Sequence, residues 1–194
     1  MSRFDDAYIG TPPWDIGRPQ PALAALAEAG ELHGRVLDAG CGTGEHALMA
    51  AALGLDATGV DSSRRAIEIA RSKGASRALQ ARFVLADVLE LRDVGAPFDT
   101  VVDCGCFHTF DDDERVRYVA ALRSAVDPGG RLFLLCFSDR QPGVMGPRRV
   151  SARELRDAFA DGWRVDAIEP AILVTNLEER GDVQAWLARI TRVA

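Results

Sequence analysis

Asp38, Asp61, Asp87 and Asp103 each stand at the end of a short apolar run, in VLD, GVD, VLAD and VVD. After the first of them comes Gly40-x-Gly42-x-Gly44, where a main chain can turn sharply and approach a ligand with no Cβ in the way. Asp61 lies 21 positions after Gly40 (61 minus 40), where a carboxylate can accept both hydroxyls of a ribose. Asp87, followed by the apolar Val88, falls within reach of an adenine edge. A pyrophosphate would want G-x-G-x-x-G, but here the third glycine comes one place early. Asp38, just before the turn, would also repel phosphates and attract a cation. The implied ligand carries adenosine at one end and positive charge at the other. S-adenosylmethionine, with its sulfonium and ammonium, meets that description and NAD does not.

A second group follows the fourth apolar run: Cys104-x-Cys106-x-His108. On an extended strand this spacing aims three soft ligands to one side, as in a metal site, although no fourth ligand is near in the sequence. The competing reading is small packed thiols beside a cofactor. Imidazole titrates near neutrality, so His108 is the candidate base or proton relay, against a packed polar residue. Arg140, Arg148 and Arg149 could form a wall for an acidic acceptor or could be a solvated surface.

These residues need a scaffold that brings strand ends to one rim, and the patterning predicts it. Pro21 suits the first turn of a helix, PALAALAEAG, that Gly30 would end. The strands RVLDAG, DATGVD, ARFVLAD, FDTVVDCG and RLFLLCF alternate with helical or connecting stretches. The helix RRAIEIARSK is capped at Ser62-Ser63, and another runs from about Asp111 to Val126, its cap acids at the start. Pro128-Gly129-Gly130 reads as a turn. Ser151 with Glu154 forms a capping box for the helix ARELRDAFA. WRVDAIEPAILVTN and VQAWLARITRV are two further strands, separated by EERGD as a hairpin turn. The fold class is therefore α/β: a doubly wound, mostly parallel, seven-stranded Rossmann-like sheet with an antiparallel C-terminal hairpin. In such sheets the ligand lies beyond the carboxyl ends of the strands.

Composition bounds the rest. The 194 residues hold no Pro/Ser-rich linker and no repeat, so one domain spanning 1–194 is expected, with residues 1–19 as an irregular aromatic arm. The net charge of -6 gives no electrostatic reason to bind nucleic acid. No stretch approaches 18 consecutive apolar residues and the N-terminus has no export signal, so membrane partners are not expected and the cytoplasm is. Four cysteines suit free thiols in a reducing compartment. Lys73 is the only lysine among 23 basic residues, which hints at a GC-rich bacterial genome. The composition says nothing of oligomeric state.

Taken together, VLDAGCGTG, GVDSS, LADVLEL and FDTVVDCGCFH resemble the successive motifs of class I S-adenosylmethionine-dependent methyltransferases. TPPWDIGRPQPAL resembles the arm of the small-molecule branch, the thiopurine and thiol/halide methyltransferases and their bacterial relatives. The resemblance implies that Asp38, Gly40 and Gly42 hold the methionine end, Asp61 the ribose, and Asp87 with Val88 the adenine, with Cys41 and Ser62 also among the cofactor-binding residues. Cys104 would lie beside the methionine end, and Trp14 would close the arm over cofactor and substrate. Tyr8, Trp14, Phe107, His108 and Arg148 are the candidate substrate contacts, and no resident metal is implied. Nucleic-acid adenine methyltransferases carry Asp/Asn-Pro-Pro-aromatic after the fourth strand, whereas this chain has Cys104-Gly105-Cys106-Phe107. The expected reaction is methyl transfer from S-adenosylmethionine to S, O or N of a small-molecule acceptor, leaving S-adenosylhomocysteine. The competing class is a non-catalytic module that binds or senses S-adenosylmethionine.

Overall fold

The structure, a computed structural model, describes residues 4–95, 97–144, 146–177 and 183–194. Seven strands form one sheet: β1 Arg35–Ala39, β2 Asp56–Asp61, β3 Ala81–Leu85, β4 Phe98–Cys104, β5 Val126–Phe137, β6 Trp163–Leu173 and β7 Val183–Arg192. Their spatial order is β3-β2-β1-β4-β5-β7-β6. The first five run parallel, and β7 inserts antiparallel between β5 and β6. The order reverses between β1 and β4, the switch point where a crevice opens at the carboxyl ends.

Among the described residues five α-helices cover the sheet: α1 Pro21–Glu28, α2 Glu45–Ala52, α3 Arg64–Ser76, α4 Asp112–Ala125 and α5 Ala152–Ala158. Alternation along the central strands divides the core. Leu37, Leu132 and Leu134 pack with residues of α4 and α5, and Val36, Phe133 and Leu135 with residues of α1 and α2. α3 starts where Ser63 Oγ accepts the Ala66 amide at 3.2 Å. α4 and α5 both begin with complete capping boxes, Asp111 with Glu114 and Ser151 with Glu154. No described helix is long and apolar enough to cross a membrane.

Two strand expectations shift. β3 ends at Leu85 rather than at Asp87, because the Asp87 carboxylate takes the Leu89 amide (2.9 Å) and turns the chain out of the ladder. Pro128-Gly129-Gly130 does not precede the fifth strand but lies within it. Phe98 pairs with Val126 and Thr100 with Arg131, so residues 127–130 bulge from the ladder. The expected hairpin turn EERGD lies outside the described residues. The arm is partly regular, with a 3-10 turn over Asp5–Ile9.

Candidate active site

β1 delivers Asp38 to the rim almost fully buried, 1% exposed. Its Oδ2 accepts the Ala47 amide of α2 at 3.0 Å, and its Oδ1 is buried with no hydrogen-bond partner. Burial pushes this carboxyl up to about 7. A buried carboxylate oxygen without a donor is costly, and a cationic or N–H-bearing ligand would complete it.

The turn after Asp38 is tight on every side. The Gly40 and Cys41 amides both donate to Val60 O at 2.9 Å, tying the turn to β2. Gly40, Gly42 and Gly44 all have positive φ (72°, 51° and 86°). A Cβ at Gly40 would meet Cys106 Sγ at 2.8 Å, one at Gly42 the Tyr8 hydroxyl at 2.8 Å, and one at Gly44 the Phe83 ring at 2.7 Å. The three glycines thus let the β4 loop, the arm and β3 close on the same turn.

At the end of β2, Asp61 accepts the Gly42 amide (2.9 Å) on Oδ2 and the Ser63 amide (2.8 Å) on Oδ1. Burial raises its carboxyl, and the amides of Ser63, Gly42 and Ser62 oppose the rise. With three amides on about four lone-pair sites, the carboxylate keeps acceptor capacity for an incoming hydroxyl. Asp87 stands exposed at the rim with Val88 buried beneath it.

The arm is seated on the turn. Tyr8 is buried, its hydroxyl accepts Trp14 Nε1–H at 3.2 Å, and the two rings meet edge-on at 6.3 Å. Trp14 remains 46% exposed. Asp5 Oδ1 accepts the Ser63 hydroxyl (2.7 Å) and Asp15 Oδ2 the Thr43 hydroxyl (2.9 Å). Lys73 Nζ donates to Thr43 Oγ1 (2.6 Å) and Glu45 Oε1 (2.8 Å), so the only lysine braces the turn from α3.

Asp103 shapes the loop after β4. Fully buried, it accepts the Cys106 amide (2.8 Å), the Phe107 amide (3.1 Å) and the Tyr118 hydroxyl (2.9 Å), while burial pushes it up to about 7. The loop leaves strand geometry at Gly105 and continues as a 3-10 turn, Phe107–Thr109, so the alternation that would have aligned Cys104, Cys106 and His108 is broken. Among the described residues no three His, Cys, Asp or Glu side chains converge to hold a metal ion. Burial raises the thiols of Cys104 and Cys106, keeping them protonated.

The substrate candidates separate. Phe107 is fully buried against Tyr118 and Phe159, with Arg115 over its ring at 4.6 Å, so it belongs to the core rather than to a substrate surface. Arg148 pairs with Asp112 and Glu154, and those carboxylates occupy the guanidinium expected to meet an acceptor. His108 Nδ1 accepts the Phe137 amide at 2.9 Å, which leaves the proton of the neutral ring on Nε2. Burial first, then Arg115 and Arg149, lower its imidazole to about 3. A ring in that state donates from Nε2 and is a poor proton acceptor.

Residues 36–130 match the family described as Methyltransferase domain. The 2-heptyl-1-hydroxyquinolin-4(1H)-one methyltransferase of Mycobacteroides abscessus is 38% identical over 184 residues, covering 89% of this chain and 81% of that protein. The chain belongs to the S-adenosylmethionine-dependent methyltransferases. The probable thiol methyltransferase 2 of Arabidopsis thaliana is 31% identical to this methyltransferase, over 75% of this chain and 65% of its own length. A solved structure from work on conversion of a disulfide bond into a thioacetal group during echinomycin biosynthesis is 41% identical. It superposes with a TM-score of 0.89, covering 98% of this methyltransferase and 92% of that chain.

The residues present fit S-adenosylmethionine, the cofactor of the family, because the orphaned Asp38 oxygen asks for positive charge and Asp61, on the neighbouring strand, keeps acceptor capacity for a ribose hydroxyl. Three groups of this methyltransferase went unread in the sequence. Asp5 and Asp15 hold the arm through partners 58 and 28 positions away, and Tyr118 reaches Asp103 across 15. The acids among aromatics in the arm were visible, but nothing local named their partners.

Proposed function

We propose that this methyltransferase transfers the methyl group of S-adenosylmethionine to S, O or N of a small aromatic or thiol-bearing acceptor. The observation that carries the reading is the arm: Tyr8 is seated against Gly42 and accepts the indole N–H of the half-exposed Trp14, and an arm held there would cover a bound cofactor and exclude water from it. The relatives support the acceptor class, one being named for a hydroxyquinolone and one for thiols. Bound in this site, the cofactor supplies a methyl carbon already activated by the sulfonium, with S-adenosylhomocysteine as the product.

In this reading Asp38, Gly40, Cys41 and Gly42 bind the amino-acid end, Asp61 and Ser62 the ribose, and Asp87 with Val88 the adenine. Cys104 packs beside the methionine end. Tyr8 and Trp14 align the acceptor, and His108 orients it by donating from Nε2 instead of taking its proton. Alignment and water exclusion then provide most of the barrier reduction, which suits an in-line displacement at carbon. We place the protein in the cytoplasm on the support of four unpaired thiols, a location that cell fractionation tests.

The experiment is a transfer assay with methyl-labelled S-adenosylmethionine over aromatic thiols, phenols, N-hydroxy heterocycles and heterocyclic amines. Label on one of these classes, with an equivalent of S-adenosylhomocysteine, is the expected result. Tight S-adenosylhomocysteine binding with no transfer to any of them would leave the sensor reading in its place.

A further inference from the structure

The arm is gripped from its far side as well as from the glycine turn. The segment 174–177, which follows β6, supplies the grip. The Asn176 amide donates to Pro13 O at 3.0 Å, and Asn176 Nδ2 donates to Pro12 O (3.0 Å) and to Asp15 O (3.2 Å). Pro12 and Pro13 have no N–H, so carbonyls are their only main-chain handles. A carboxamide NH₂ offers two donors, and here both are spent on the arm.

A second clamp sits where the arm enters α1. Gln20, 2% exposed, pairs with Val174 in both directions: its Nε2 donates to Val174 O (2.9 Å) and its Oε1 accepts the Val174 amide (2.8 Å), as a neighbouring strand would. The Gln20 amide in turn donates to His46 Nε2 at 3.1 Å, on the second residue of α2, the helix that leaves the glycine turn. Within the first clamp the arm presents Trp14 to Tyr8, and Asp15 to Thr43.

We propose that Asn176 is a positioning residue for methyl transfer, fixing the Pro12–Asp15 turn so that Tyr8, Trp14 and Asp15 stay seated on the glycine turn. This rests on the reading of the arm as the cover of the cofactor site. The hydrogen bonds described for Asn176 all end on the arm, so its influence on the cofactor passes through the arm's position. The C-terminal antiparallel strands thereby acquire a role at a site formed by the parallel half of the sheet.

The test uses Asn176→Ala and the near-isosteric Asn176→Asp, both of which delete the two side-chain donations while leaving an exposed position to fold around. Calorimetry gives the Kd for S-adenosylhomocysteine, chymotrypsin cleavage after Trp14 in ligand-free protein reports arm release, and the Tm reports the fold. Loss of two hydrogen bonds should weaken S-adenosylhomocysteine binding about tenfold and speed cleavage by about the same factor, with little change in Tm. A residue with a merely structural role would lower the Tm and leave both other readouts at wild-type values, and that result overturns the proposal. Faster cleavage with an unchanged Kd overturns it as well. Gln20→Ala, at the second clamp, should move the same two readouts in the same direction. Were the methyltransferase reading itself at fault, wild type would fail to bind S-adenosylhomocysteine, and the cleavage rates would still decide whether Asn176 holds the arm.

Discussion

His46 and His108 show what burial does to single residues in this protein. Both rings accept a main-chain amide, from Gln20 and Phe137 respectively, and burial lowers them to about 4 and about 3. Their unfolded value is 6.5, so the stability each confers is fully present above pH 6.5 and is lost as the pH falls toward the folded values, where the unfolded chain alone takes up protons. In His46→Gln, whose amide oxygen can still receive the Gln20 N–H, the Tm should therefore fall less steeply than in wild type between pH 6.5 and pH 4. A parallel fall in scanning fluorimetry would refute the assignment. For His108 the expectation concerns catalysis. His108→Gln should lower kcat/KM by about tenfold or less, the scale of one hydrogen bond, and leave the shape of its pH profile intact. Disappearance of an acidic limb in the variant would restore His108 as the base.

At the scale of elements, the strand–turn–helix after Val36 was legible because its signals are local: an apolar run, an acid, and glycines at alternate positions. Positive φ at Gly44 and the Phe83 ring 2.7 Å from its missing Cβ explain why that letter is glycine. Gly44→Ala should cost about 2 kcal/mol or more, from backbone strain and the clash together, read as a lower Tm. An unchanged Tm would mean that the turn relaxes freely. What the sequence hid at this scale was the loop after β4. Continued strand geometry suggested that Cys104, Cys106 and His108 share a side, but Asp103 captures two amides and the Tyr118 hydroxyl and turns the chain into a 3-10 helix instead. The helix ends were readable where the capping side chain lies within three positions, as at Asp111 and Ser151.

At the scale of the molecule, the seven strands of the described residues hydrogen-bond into one sheet, and the order β5-β7-β6 makes the C-terminal strands part of the same hydrogen-bonded body as the cofactor rim. We therefore expect 1–194 to unfold as one unit. Calorimetric and van't Hoff enthalpies should agree, and two resolved transitions would contradict that. Alternation of strands and helices made the topology legible, whereas the contacts that close the site, Asn176 with Pro12 or Gln20 with Val174, join positions more than 150 residues apart and carry no local pattern. The central claim is that the turn after Asp38 is built for a cation and not for phosphates. Titration calorimetry of wild type and Asp38→Asn with S-adenosylhomocysteine and with NADH tests it most directly. Wild type should bind one equivalent of S-adenosylhomocysteine and no NADH, and Asp38→Asn should bind S-adenosylhomocysteine about tenfold or more weakly, as loss of a charge-assisted bond requires. Saturable NADH binding, or undiminished S-adenosylhomocysteine affinity in Asp38→Asn, would contradict the account.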